Sequence, residues 1–287
     1  MGEELKVLGV LGAGQMGAGI AQVAAQAGWT VRLADATEAL ASAGRERLLG
    51  QLRRLVDKGK ATADELLALG ERVVAVGGVA DLAPCDLVVE AATERLEVKL
   101  GLFRALDAAV KPGAVLASNT SSISITRLAA ETRRPERVVG LHFMNPVPVM
   151  KLVEVIRALQ TSEDTYQTAL AVARRMNKTT ITARDAPGFL VNRMLIPFLN
   201  EAIFALESGV GSPQDIDTGA KLGLNHPLGP LELADLIGLD TVLSIAEVLQ
   251  RDLGDDKYRP PALLRNHVAA GWLGRKSGRG FYTYEKK

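Results

Sequence analysis

A doubly wound α/β domain followed by an all-α domain is the fold class the sequence predicts, on three observations. An apolar run at residues 6–11 leads through a glycine-rich turn into a helical stretch at 18–28. Up to about residue 184, short apolar runs alternate with amphipathic stretches, the signature of a parallel sheet covered on both faces. After Asp185, Ala186, Pro187 and Gly188 the strand-like runs disappear and long helical patterns take over. The expected domains are residues 1–185 and 186–287.

The first strand, 6–11, meets Gly12, Ala13, Gly14, Gln15, Met16 and Gly17, and a helix follows at once. This is the strand, turn and helix context of a Rossmann-type dinucleotide site. Gly12 permits the tight turn, Gly14 removes the Cβ that would hold a pyrophosphate off the backbone, and Gly17 lets helix and strand pack closely. The phosphates are expected on the unpaired amides at the helix start, where the macrodipole favours negative charge. A second strand at 30–34 ends in Asp35, whose carboxylate suits the adenine-ribose hydroxyls and repels a 2′-phosphate. NAD is therefore expected over NADP, with Arg32 as a cation that blurs the preference. The alternative reading of Asp35 is a cap for the helix opened by Thr37 and Glu38.

Further strands are expected at 73–76, 86–91, 114–117, 138–141 and 152–156, with Leu96, Leu100, Phe103 and Leu106 at helical spacing between them. Ligands of doubly wound sheets bind at the carboxyl ends of the strands. Ser118, Asn119, Thr120, Ser121 and Ser122 follow one strand there, and His142 follows another. His142 is suited to take a proton from a hydroxyl as a hydride leaves the same carbon, and Glu154 to hold its other ring nitrogen. Spacing alone favours a plainer reading, a core histidine and a solvent-facing glutamate on an edge strand.

In the second half, residues 189–206 are apolar nearly all round, with Pro197 inside as the expected kink. Such a helix needs cover on every side, in its own domain's core or at a subunit interface.

Composition narrows the function class. The 34 Lys plus Arg against 33 Asp plus Glu leave a net charge of +1, which offers no general attraction to nucleic acid or membrane. No apolar run approaches transmembrane length, and the opening MGEELK lacks a signal-peptide pattern, so the cytoplasm is the expected compartment. The single cysteine, Cys85, is read as a small buried hydrophobe rather than a reactive thiol. His142, His226 and His267 are too scattered to suggest a metal site.

Taken in order, GVLGAGQMGAGIAQ, AATERLEVK, SNTSSISIT, GLHFMNPVPVMKLVEVI, PGFLVNR, NHPLGPLELADLIGLDT and WLGRKSGRGFYTY cover essentially the whole chain. Together they resemble the L-3-hydroxyacyl-CoA dehydrogenase family, most closely its short-chain bacterial branch, 3-hydroxybutyryl-CoA dehydrogenase. The resemblance implies reversible NAD-dependent oxidation of an (S)-3-hydroxyacyl-CoA to the 3-ketoacyl-CoA. It implies His142 as general acid/base, Glu154 as its partner, and Ser121 and Asn192 as the groups on the substrate oxygen. It also implies NAD contacts at Glu94, Lys99, Asn119, Ser121 and Asn145, and at Lys276 from the second domain. Without the resemblance, Glu94 and Lys99 read as a solvated helix face, and Asn192 as ordinary helix polarity.

The family places a CoA-binding helical excursion after the second strand, where Arg53, Arg54, Lys58 and Lys60 stand; Arg54 and Lys58 are the candidate CoA contacts, against a plain solvated face. It also implies a homodimer through the C-terminal domain. A hydroxyisobutyrate-type dehydrogenase, which uses lysine as acid/base, is disfavoured by the histidine motif. A gulonate-type sugar-acid dehydrogenase and a non-catalytic NAD-binding module remain as alternatives.

Overall fold

The computed structural model describes residues 5–285, so the first four residues of the MGEELK opening lie outside it. The chain divides into two compact units, Met1–Ala186 and Pro187–Lys287.

The first unit is a single eight-stranded sheet in the order β3-β2-β1-β4-β5-β6-β7-β8. β1 (Val7–Leu11) leads through the glycine turn to α1 (Gln15–Gln26), then β2 (Thr30–Ala34), α2 (Glu38–Asp57), α3 (Ala63–Arg72) and β3 (Val73–Val76). Returning to the other side of β1, the chain forms β4 (Leu87–Glu90), α4 (Leu96–Ala109), β5 (Val115–Ser118), α5 (Ile125–Ala129) and β6 (Val138–Phe143). β7 (Leu152–Arg157), α6 (Glu163–Arg175) and β8 (Thr179–Arg184) complete it. The strand order reverses between β1 and β4, which makes their carboxyl ends the crevice for a ligand.

Hydrophobic burial explains the layers. β4 is buried at every residue, as a central strand covered on both faces must be. In α4, Leu100, Phe103 and Leu106 face the core at 6 %, 0 % and 0 % exposure, but Lys99 shares that face. Burial of Phe103 contributes about 1.5–3 kcal/mol.

Three expectations are corrected. The sheet is mixed, because β6 pairs antiparallel with β7 while the remaining neighbours run parallel. His142 lies within β6 and not beyond it. Glu154 is fully buried on a strand flanked on both sides, so the solvent-facing edge reading is wrong.

The second unit is helical, with α7 (Val191–Glu207), α8 (Pro213–Thr218), α9 (Pro230–Ile237), α10 (Leu239–Leu253) and α11 (Ala262–Ala269). α7 continues through Pro197 and buries Ile196, Leu199, Ala202 and Ile203 in this unit's own core. Met194, on the opposite side, is 61 % exposed. The C-terminal GRGFYTY segment is held by two buried carboxylates. Asp235 accepts from the amides of Phe281 and Tyr282, and Asp217 from the Tyr282 hydroxyl.

Candidate active site

Five strand ends assemble the site in the first unit, starting at the glycine turn. Gly12 has φ +106°, which a side chain rarely adopts, and a Cβ there would meet the Ala91 carbonyl oxygen at 2.6 Å. A Cβ on Gly14 would meet nothing within 4 Å, so the turn is open to a ligand on that side. The first-turn amides of α1 have no intrahelical acceptor, and no carboxylate stands in that turn, so the turn fits a pyrophosphate.

Asp35 closes the turn from β2. Its Oδ2 accepts from the Ala13 amide at 2.7 Å, and its Oδ1 from Ala36. Thr37, not Asp35, caps α2, so the capping alternative fails. Arg32 is turned away, donating to the Asp81 carbonyl. The cation that does touch the turn is Arg47 of α2, donating to the Ala13 carbonyl at 2.9 Å, a contact the sequence reading missed.

At the end of β4, Glu94 is taken up by the loop that follows β5. Its Oε1 accepts from Thr120 Oγ1, from the amides of Ser121 and Ser122, and from both serine hydroxyls. Lys99 stands 3.5 Å from its other oxygen and is itself 1 % exposed, which removes the solvated-face reading for Lys99, while the Glu94 side chain stays 40 % exposed. Burial opposes ionisation of Glu94, but Lys99 and these hydrogen bonds outweigh it and hold the carboxyl below the usual range. A depressed carboxyl stabilises the fold fully above its unfolded value, ordinarily 4.5, and the contribution fades as pH falls through the lower folded value. Thermal melts of the protein and of Glu94→Gln are therefore expected to differ at pH 6 to 7 and to converge in acid.

Asn119 binds the next strand, its Oδ1 accepting from the Phe143 amide at 2.9 Å. That bond sits beside the central pair. His142 and Glu154 are directly opposite in the β6–β7 ladder, and His142 Nδ1 meets Glu154 Oε2 at 2.6 Å. A carboxylate only accepts, so Nδ1 carries the proton and the basic lone pair falls on Nε2. His142 is 7 % exposed and Glu154 0 %, so water screens their interaction poorly. Asn145 accepts from Gln15 Nε2 at 3.1 Å, joining the loop after β6 to the glycine turn. Lys178 fixes the far side of that loop by donating to the carbonyls of Val147 and Met150, and burial pushes its ammonium below the usual lysine range.

Asn192 belongs to α7 of the second unit and is buried. Lys276 of the same unit pairs with Asp240 at 2.5 and 2.6 Å. Arg54 and Lys58 lie exposed at the far end of α2, a helix about 30 Å long. Burial pushes the Cys85 thiol up to about 12, so it stays a thiol at neutral pH. Among the described residues no group of His, Cys, Asp and Glu is arranged for a metal, and no helix is long and apolar enough to cross a membrane.

Comparison with known proteins decides what this arrangement belongs to. Residues 7–186 match the 3-hydroxyacyl-CoA dehydrogenase NAD binding domain, and residues 188–284 match the C-terminal domain of the same family. The chain belongs to the 3-hydroxyacyl-CoA dehydrogenase family. As a member it is an NAD-dependent oxidoreductase. It is 54 % identical over 284 residues to the probable 3-hydroxybutyryl-CoA dehydrogenase of Bacillus subtilis, covering 99 % of both chains. It is 42 % identical to the human mitochondrial hydroxyacyl-coenzyme A dehydrogenase, over 98 % of this chain and 92 % of that one. The crystal structure of (S)-3-hydroxybutyryl-CoA dehydrogenase from Ralstonia eutropha superposes with a TM-score of 0.95 at 47 % identity, over 99 % of this chain and 100 % of that one. Within this dehydrogenase fold, the turn, Asp35 and the His142–Glu154 pair line one edge of the first unit's sheet.

Proposed function

We propose that the protein interconverts (S)-3-hydroxybutyryl-CoA and acetoacetyl-CoA with NAD, using His142 as general acid/base and Glu154 as the group that orients it. The observation that carries this reading is the 2.6 Å contact between two buried side chains at a strand end beside the dinucleotide turn. The residues of the glycine turn and Asp35 would hold NAD, which would supply the hydride acceptor for C3 of the substrate. Nε2 of His142 takes the hydroxyl proton in the oxidative direction and returns it to the forming alkoxide in the other. Glu154 keeps the proton on Nδ1 and stabilises the imidazolium as it forms. Gly12, Ala13, Gly14, Gln15, Met16, Gly17 and Asp35 hold the adenosine diphosphate half of NAD. Glu94, Asn119 and Asn145 border the rest, with Lys99 acting through Glu94.

Ser121 and Asn192 serve the oxygen on which charge develops, a kind of contact worth about 3 kcal/mol per donor. Lys276 is a cofactor contact, and Arg54 and Lys58 bind the CoA phosphates. The helical unit, whose Met194, Leu222 and Leu236 are more than half exposed, pairs two copies of the chain. The compartment is the cytoplasm.

NADH oxidation followed by absorbance at neutral pH with acetoacetyl-CoA tests the reading. Rapid loss of NADH is expected, with slower turnover of longer 3-ketoacyl-CoA thioesters and of NADPH. No turnover of any thioester would transfer the site to sugar-acid chemistry. Light scattering after size exclusion is expected to give the mass of a dimer, and a monomer at every concentration would contradict the pairing.

A further inference from the structure

Glu90 ends β4 at the sheet's carboxyl edge, has no part in the proposed reaction, and is completely buried. Every one of its lone-pair directions is engaged. Oε1 accepts from the Ala92 amide at 2.7 Å and from Lys99 Nζ at 2.6 Å. Oε2 accepts from Lys99 Nζ at 2.8 Å and from Ser118 Oγ at 2.7 Å. Two branches leave it. Through Lys99 it reaches Glu94 at 3.5 Å, and through Ser118 it reaches the Thr120 amide at 3.2 Å. Glu94 and Thr120 are bonded to each other at 2.5 Å, so Glu90, Lys99, Glu94, Thr120 and Ser118 form a closed ring. The turn carrying Ser121 hangs from that ring by the Glu94 carboxylate.

We infer that Glu90 is a positioning residue: its charge neutralises Lys99 so that Lys99 holds Glu94, and Glu94 in turn fixes the Ser121 turn for cofactor and substrate. The physical reason lies in the charges. A buried ammonium with two carboxylates in reach distributes itself between them, and here two short contacts go to Glu90 and one long contact to Glu94. Glu94 is thereby left to spend its other oxygen on the turn. If Glu90 loses its charge, Lys99 has a single carboxylate left and draws it in, away from the Ser121 and Ser122 amides. The inference rests on the assignment of Glu94 and Ser121 to the cofactor and substrate.

Three proteins test it: wild type, Glu90→Gln, and the double variant Glu90→Gln/Lys99→Met. Each is measured by calorimetric titration with NAD, by thermal melting, and by hydrogen exchange at the amides of Ser121, Ser122 and Ile123. Glu90→Gln is expected to bind NAD on the order of 10- to 100-fold more weakly, the scale of a small misplacement at a site, with faster exchange at the three amides and a lower melting temperature. The double variant removes the whole buried pair, which proteins tolerate better than loss of one partner, so its melting temperature recovers. Its NAD affinity does not, because Glu94 has lost its cation. A merely structural role for Glu90 predicts the opposite, recovery of stability and affinity together, and that result overturns the inference. Wild-type exchange in Glu90→Gln overturns it as well. Faster exchange with unchanged NAD affinity would uphold the ring and instead remove Glu94 and Ser121 from the cofactor site.

Discussion

His142→Gln is expected to fold, to bind NAD, and to turn over roughly 100- to 10,000-fold more slowly than the wild type, the range that positioned acid/base catalysis contributes. Glutamine keeps the size and a polar end but has no group that titrates near neutral pH, so the hydroxyl proton has no acceptor as hydride departs. Glu154→Gln tests the second half of the pair by a different route. The amide is nearly isosteric and stays within reach of Nδ1, 2.6 Å away in the wild type, but it donates as well as accepts. The wrong tautomer then places the proton on Nε2, where the base is needed. Glu154 is fully buried, so no water replaces the lost carboxylate. The loss is expected to reach the same order as that from His142→Gln, since the two groups act as one. Saturating kcat, measured beside NADH affinity, checks both variants. Near-normal kcat in His142→Gln would end the assignment.

The second large effect separates folding from binding within one motif. Gly17→Ala places a Cβ 1.7 Å from the Gly12 carbonyl oxygen and 2.9 Å from its carbon. Both are backbone atoms, and no side-chain rotation relieves the overlap, so the turn itself must move. A loss of about 3 kcal/mol or more is expected, at the upper end for overpacked sites, together with loss of NAD binding. Gly14→Ala behaves differently, because its Cβ meets nothing within 4 Å. This variant is expected to melt like the wild type and still bind NAD poorly, because the added methyl stands where the pyrophosphate must approach. Melting curves and NAD titrations on the two variants read the difference directly. Equal NAD affinity in Gly14→Ala and wild type would remove the pyrophosphate from that turn.

Most of the first sheet was legible because central strands are continuous apolar runs. The central strand β4, expected at 86–91, is found at Leu87–Glu90 and is buried throughout. β8 (Thr179–Arg184) was missed because its sequence, TTITAR, carries no apolar run, and most of its residues are at least partly exposed. β6 was cut short at Leu141 because a histidine ordinarily ends such a run, whereas here a buried carboxylate across the ladder accommodates it. The antiparallel turn of the sheet had a signal that went unused. Residues 144–151 are too few for the crossover of about a dozen residues that a parallel neighbour needs. At the site, side-chain chemistry singles out His142, Glu154 and Asp35 as candidates, with the family resemblance needed to prefer the His142–Glu154 pair over the plainer reading, while Arg47, Glu90 and Lys178 carry no such signal. Their roles depend on backbone carbonyls and on buried neighbours distant in sequence, to which a pattern of residue types is blind. The one available hint for Glu90 was a charge closing the apolar strand LVVE, with a lysine on the next helix.

The pairing of His142 with Glu154 is a rung of a ladder, not the product of a loop. Side chains on a strand alternate between faces, so a slip of one residue would carry one member of the pair to the opposite side of the sheet. The reading frame of β6 against β7 is therefore the invariant quantity, and the twelve-residue interval in sequence is incidental. The exposed positions of the intervening segment can vary while the two strands stay in frame, provided Asn145 keeps its bond to Gln15 and the carbonyls of Val147 and Met150 stay on Lys178. An enzyme built this way can remodel the rim that meets its ligands without rebuilding its proton-transfer machinery.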